Sequence, residues 1–176
     1  GEYMDSMRQI ETYETESGYD QGNPNIGFNA NGLGYKTAVV ANRRAYVGNV
    51  SIKDESGIVH VKPDAILKSR VNSFDTFPLS NRIEVSVKDG DEIVKLEEYA
   101  DRILQFKKNK MHLINISQEL EFVEDTFMHK GVVAPSATCK TDYGIAWVNE
   151  NGCYLYDGKQ VNDLLEKGGV QIIKES

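Results

Sequence analysis

Asp142-Tyr143-Gly144-Ile145-Ala146-Trp147-Val148-Asn149-Glu150-Asn151-Gly152-Cys153-Tyr154-Leu155-Tyr156-Asp157-Gly158 spells a β-hairpin. Gly144 to Val148 and Cys153 to Tyr156 are short runs of β-forming side chains. The polar stretch between them ends in Asn151-Gly152, the pair that most readily supplies the positive φ angles of a tight turn. Asp157-Gly158 adds a second turn signal where the hairpin ends.

The pattern recurs. Forty-two positions earlier stand Arg102 to Lys107, a polar turn at Lys108-Asn109-Lys110, and Met111 to Asn115. Sixty-six positions before that stand Lys36 to Ala41, the turn Asn42-Arg43-Arg44, and Ala45 to Asn49. The columns agree in chemistry: Val40, Phe106 and Val148 on the first strand, and Tyr46, His112 and Tyr154 on the second. Each copy then reaches a small polar residue: Asn49, Asn115 or Asp157. The longer first interval reads as one inserted excursion at about residues 64–81.

Four short strands in a unit of about 42 residues is the period of a β-propeller blade, and a blade buries its faces only against its neighbours. The expected class is all-β, a propeller-like array of antiparallel blades with three recognisable hairpin repeats. Three are fewer than the four to eight blades that usually close a ring. The array is then either an arc of a larger propeller or a ring completed by a cryptic extra blade. An irregular sandwich or barrel satisfies the same strand list.

Around the repeats, residues 1–34 form an acidic, turn-rich arm, with an edge strand expected at Gln9 to Thr15 and a long loop at Ser17 to Asn31. Residues 35–176 form the propeller-like domain. Ile58 to Val61 is expected as a strand interrupted at Pro63-Asp64, with Ala65 to Lys68 as another. Arg82 to Lys88 alternates as a half-buried strand, Ile93 to Tyr99 leads into the second hairpin, and Phe122-Val123 lies on a strand after it. Gln160 to Lys167 is expected as a short helix before Gly168-Gly169, and Val170 to Ile173 as a last strand.

Composition excludes several functions. The 176 residues are 40% hydrophobic and 27% charged, with a net charge of −7. That charge argues against a surface built chiefly to hold nucleic-acid phosphate. No apolar run nears the roughly 18–20 residues that span a bilayer, so no membrane partner is expected. The N-terminus has no basic-then-apolar secretory pattern. Gly1 in place of Met reads as a tag remnant on a piece of a longer chain. Cys139 and Cys153 are the only cysteines, too few for a disulfide framework and too widely spaced for a zinc pair.

Motifs for chemistry are weak. Asp89-Gly90-Asp91-Glu92 lacks the ligand order of a calcium loop and reads as a turn. Asp142 and Asp157 flank one hairpin, but nothing in the sequence sets their separation as a glycosidase pair requires. His60, His112 and His129 are scattered, and His112 reads as a packed ring in its column. Phe74 and Phe77 read as plugs for the end of a core, and Trp147 as a core aromatic. Neither a nucleophile with its base nor a phosphate-cradling loop appears. No catalytic residue, metal site or cofactor is expected. Tyr46, Trp147, Tyr154, Tyr156, Asp157 and Gly158 are structural markers of the repeat. Arg43, Arg44, Lys107, Lys108 and Lys110 occupy matching turns and read first as solvated turn charges, with Glu150 breaking the pattern in the third copy; the alternative is a weak basic rim facing DNA or an acidic partner.

Several phrases together resemble a known family. Pro63-Asp64-Ala65-Ile66-Leu67-Lys68-Ser69, Phe74-Asp75-Thr76-Phe77-Pro78, Asp89-Gly90-Asp91-Glu92-Ile93, Tyr143 to Trp147 and Gly152 to Gly158 look like the propeller domains of tail proteins from short-tailed phages: the tail-tube, nozzle and packaged-DNA stabilisation group. The resemblance covers about residues 34–160. It implies a virion component, assembled in the host cytoplasm, that forms a ring with copies of itself or with other virion proteins and touches packaged DNA. Those propellers are longer and carry extra domains. The resemblance thus implies a non-enzymatic structural protein. The contrasting expectation is a propeller-type carbohydrate-binding module or glycan-processing enzyme, with its site at a central channel.

Overall fold

The computed structural model describes residues 34–53, 58–72, 82–84, 90–118 and 120–165. The chain forms two compact units, Gly1–Ile93 and Val94–Ser176. Among the described residues the strands form three four-stranded sheets, each pairing its strands in chain order. Neighbouring strands pair antiparallel from β1 to β4, from β6 to β8 and from β9 to β12. The fold class is all-β.

In the first unit β1 (Gly34–Ala41), β2 (Arg44–Lys53), β3 (Val59–Lys68) and β4 (Arg82–Glu84) make one sheet. Asn42 and Arg43, at φ 51° and 61°, close the first hairpin with the mirror-image turn that matches strand twist. The break expected at Pro63-Asp64 does not occur, because β3 is one ten-residue strand. Gly48 pairs with Ile66 and Val50 with Lys62, so the ladder shifts register at Asn49. Pro63 lies inside that irregularity, where a strand tolerates a residue that donates no hydrogen bond. Ala45, Val47, Val50, Ala65 and Leu67 pack as one apolar cluster.

The second unit holds two sheets. One comprises β5 (Ile93–Tyr99), β6 (Arg102–Lys107), β7 (Lys110–Asn115) and β8 (Phe122–Met128). The other comprises β9 (Thr138–Thr141), β10 (Gly144–Asn149), β11 (Gly152–Tyr156) and β12 (Val161–Asp163). Leu104 opposite Leu113 and Phe106 opposite Met111 form the front of the β5–β8 sheet. Ile145 opposite Tyr156 and Trp147 opposite Tyr154 form the back of the β9–β12 sheet. These eight side chains share one core with Val94 and Val132. The Phe106 and Trp147 rings meet edge-on at 5.0 Å between centroids, a favoured aromatic geometry.

Several expectations are corrected. The last hairpin runs Gly144–Asn149 and Gly152–Tyr156, but neither Asn151 nor Gly152 has a positive φ. Instead the Asn149 Oδ1 accepts from the backbone N–H groups of Asn151 and Gly152, at 2.8 and 3.1 Å. That side chain makes the turn without left-handed backbone. The helix expected from Gln160 is replaced in part by β12, which pairs Val161 with Tyr156. The copies also differ in place. The hairpin at 36–49 joins the first two strands of its sheet, whereas those at 102–115 and 144–157 join the second and third. The true counterpart of Asn42-Arg43 is Ala100-Asp101, with φ 53° and 57°, which sequence reading passed over.

The edge strand at Gln9 to Thr15, the loop at Ser17 to Asn31, Phe74, Phe77 and the strand at Val170 to Ile173 lie outside the described residues. Of the strand expected at Arg82 to Lys88, β4 is the described part.

Candidate functional site

The most heavily wired place in the second unit is the passage from β8 to β9. His129 turns the chain with φ 64° and donates its N–H to the Asn109 carbonyl at 2.8 Å, while Val132 donates to the Lys107 carbonyl at 2.9 Å. The passage is thereby tied to the β6–β7 turn of the sheet it leaves. Gly131 lies so close to Lys107 that a Cβ there would run into the Lys107 carbonyl oxygen.

The same four residues are tied to the sheet they enter. Trp147 Nε1 donates to the Lys130 carbonyl at 3.0 Å. Asn149 Nδ2 donates to the carbonyls of Gly131 at 2.8 Å and His129 at 3.1 Å, and Asn151 Nδ2 also reaches the His129 carbonyl. The Lys130 ammonium stands 5.1 Å from the centroid of the Tyr154 ring, within cation–π range. A cleft of about 170 Å³ opens beside this joint, lined by Lys108, His129, Val133, Asn149, Glu150 and Asn151 among others. The Asn149 carboxamide is spent on backbone groups on both of its sides, so this chemistry holds two sheets together.

A second polar cluster closes the other end of the β5–β8 sheet. Arg102 forms a bidentate pair with Glu124, Nε to Oε2 at 2.8 Å and Nη2 to Oε1 at 3.1 Å, and Asn115 Nδ2 donates to the same carboxylate. The hydrogen bond to Arg102 holds Glu124 below the usual carboxylate range, and the same bond raises Arg102. Asp157 is also held low, by the backbone N–H groups of Gln160 and Lys159, with Asn162 on its other oxygen. A carboxylate so engaged is poorly placed to act as a proton donor beside Asp142. Among the described residues no three His, Cys, Asp or Glu side chains are grouped to hold a metal ion, and no helix is long and apolar enough to cross a membrane.

The expected basic rim needs correction at one position. Lys107 is fully buried and presents no charge to a partner. Arg43 is exposed in the β1–β2 turn, and Arg44 there donates to the Ser69 carbonyl at 2.9 Å. Lys108 is exposed and Lys110 half-buried at the β6–β7 turn. The two turns are the first and second of their sheets, so they are not equivalent places. Tyr46, Trp147, Tyr154 and Tyr156 are buried, and Gly158, at φ 96°, sits against the Tyr99 ring. His112 is buried with Nδ1 2.8 Å from the Thr126 hydroxyl. Gln105, beside it across the ladder, is fully buried with neither amide atom hydrogen-bonded.

Sequence reading missed the His129–Val132 joint, whose one signal is a lone glycine between strands. It also missed the front of the β9–β12 sheet. Ala146 and Leu155 are direct partners there, as are Val148 and Cys153. Val148 is 53% exposed, while Ala146, Cys153 and Leu155 are half-buried. No family model matches this chain, and no curated protein matches it.

Proposed function

We propose that the protein is a non-enzymatic structural component that works through protein–protein contacts, as part of a propeller-like array in the tail or head-to-tail assembly of a short-tailed phage. The observation that carries the structural role is the way the second unit is built. The back of one sheet packs on the front of the one before it, and the polar groups beside the contact are consumed in wiring the two together. Such stacking extends by adding sheets, which is how repeat proteins grow and associate. The virion setting rests on the sequence phrases between residues 34 and 160, and the partners it names are other copies, other virion proteins and packaged DNA.

Light scattering on a sizing column tests this reading. A stable multimer larger than a dimer, independent of concentration, is expected. A protein that never exceeds a dimer and binds members of a glycan panel would overturn it in favour of a carbohydrate-binding module.

A further inference from the structure

Asn151-Gly152 stands at the β10–β11 turn, although neither residue takes the positive φ for which that pair is favoured. Each is held there for a separate reason. The Asn151 carboxamide donates from Nδ2 to the His129 carbonyl at 3.1 Å. Gly152 lies against the Tyr154 ring, where an added Cβ would stand 3.1 Å from the phenol oxygen and 3.2 Å from the carbon that bears it. The resulting adjacency has a chemistry of its own. Asparagine is a thermolabile residue, and it is most open to attack by its own backbone when the next residue is glycine, whose nitrogen no side chain screens.

We propose that Asn151 is a site of spontaneous deamidation, that the closed joint between the two sheets guards it, and that the modified residue no longer supports that joint. In the reaction the Gly152 backbone nitrogen bonds to the Asn151 side-chain carbonyl carbon. The bond from that carbon to Nδ2 breaks, and the amide departs as ammonia with the proton that Gly152 gives up. Water then opens the succinimide, at one carbonyl to leave aspartate and at the other to leave isoaspartate. Water is the one co-reactant.

The folded joint withholds both reacting groups. The Gly152 N–H is donated to Asn149 Oδ1 at 3.1 Å, and the Asn151 N–H to the same oxygen at 2.8 Å. That oxygen belongs to a neutral carboxamide, which holds the Gly152 proton in place without being basic enough to remove it. The Asn151 amide is drawn to a carbonyl 22 residues away in the chain instead of folding back on Gly152. Asn149 also donates to His129 and Gly131, so the side chain that guards the reaction also holds the sheets. Asn151 itself is exposed, so water reaches the site, and the reaction proceeds when the passage opens locally.

Modification then acts on the joint. An aspartate at 151 has no N–H for the His129 carbonyl, sets oxygen against oxygen, and adds a charge beside Glu150. Isoaspartate also lengthens the backbone ahead of Gly152 and shifts the glycine from its place at the Tyr154 ring. Both products oppose re-closure, so an opening that ends in reaction is permanent.

The inference is independent of what the protein assembles with. The whole chain is warmed at mildly alkaline pH, in buffer and, in parallel, unfolded in guanidinium chloride. Peptide mapping by mass spectrometry follows aspartate and isoaspartate at 151. The folded chain is expected to react at least tenfold more slowly than the unfolded one. Asn149→Ala, checked as folded by far-ultraviolet circular dichroism, is expected to react at least fivefold faster in buffer than the parent. Asn151→Asp is expected to melt about 2–8 °C below the parent, read by the emission of the buried Trp147. A parent chain that reacts as fast in buffer as in denaturant overturns the guard, and that result stands whether or not Asn149→Ala folds. A folded Asn149→Ala as slow as the parent overturns the role given to Asn149. An Asn151→Asp chain with the parent's melting temperature overturns the effect on the joint.

Discussion

At the residue scale the tightest constraint is Gly131, because its Cα faces the Lys107 carbonyl with no room for a methyl group. Gly131→Ala forces the His129–Val132 passage away from β6 and strains the hydrogen bonds that flank it. A loss of about 2–4 kcal/mol is expected in urea unfolding, in the range of other core-strain substitutions. Gln105 points the other way. Its carboxamide is fully buried with neither polar atom paired, and an unsatisfied buried amide carries its whole desolvation cost. Gln105→Leu is expected to stabilise the protein by about 1–2 kcal/mol, and a measured loss would mean that the amide has a polar partner in solution. Among the described residues, Glu124 and Asp157 contribute to the acid limb of stability. Both are held below their ordinary values by hydrogen bonds, so the stability they contribute is present above the unfolded carboxylate range and lost as pH falls below that range, through their depressed folded values. The melting temperature is expected to drop progressively from about pH 5 downward. Asp157→Asn, which keeps an oxygen for the same N–H groups but does not titrate, should flatten that drop.

At the element scale the hairpins differ in how their turns are made. Asn42-Arg43 and Ala100-Asp101 both take left-handed φ at two successive residues, a conformation that costs energy for most side chains and little for Asn-Gly. Ala100 and Asp101 are both exposed. Replacing the pair by Asn-Gly is expected to raise stability by about 0.5–1 kcal/mol, read as a shift of the urea midpoint with an unchanged slope. The same substitution logic fails at Asn151-Gly152, where the turn depends on the Asn149 carboxamide. The middle strands β6 and β7 are buried almost end to end, whereas β8 is exposed along most of its length. The front of the β5–β8 sheet is covered by the sheet that follows, and the front of the β9–β12 sheet is not.

At the scale of the whole molecule, the two compact units give the protein two places where stability can be read. Trp147 is the chain's one tryptophan and lies in the shared core of the second unit, 2% exposed. Its emission is expected to be that of a buried indole and to report the unfolding of the second unit, whatever the first unit does. Circular dichroism, which sees the strands of both, is expected to coincide with the fluorescence transition only if the units unfold together. An emission already typical of a solvated indole in buffer would contradict the stacked core.

Much of the second unit was legible in the sequence because its hairpins announce themselves locally. The run of β-forming side chains from Gly144 to Val148, and the polar turn before Cys153, determine strand, turn and strand with no knowledge of what packs on them. The all-β class and the 42-residue step follow from the same local rules. Other features depend on distant partners. Pro63 looked like a strand break, but a register shift against Asn49 absorbs it. Val161–Asp163 looked helical, and pairing with β11 makes it a strand. Lys107 reads as a surface charge, yet the chain buries it. Gly131 is conspicuous only beside a carbonyl 24 residues earlier. Local propensity sets which short pieces form, because it acts over a few residues. Which face each piece buries is set by long-range packing, and that is decided only when the sheets come together.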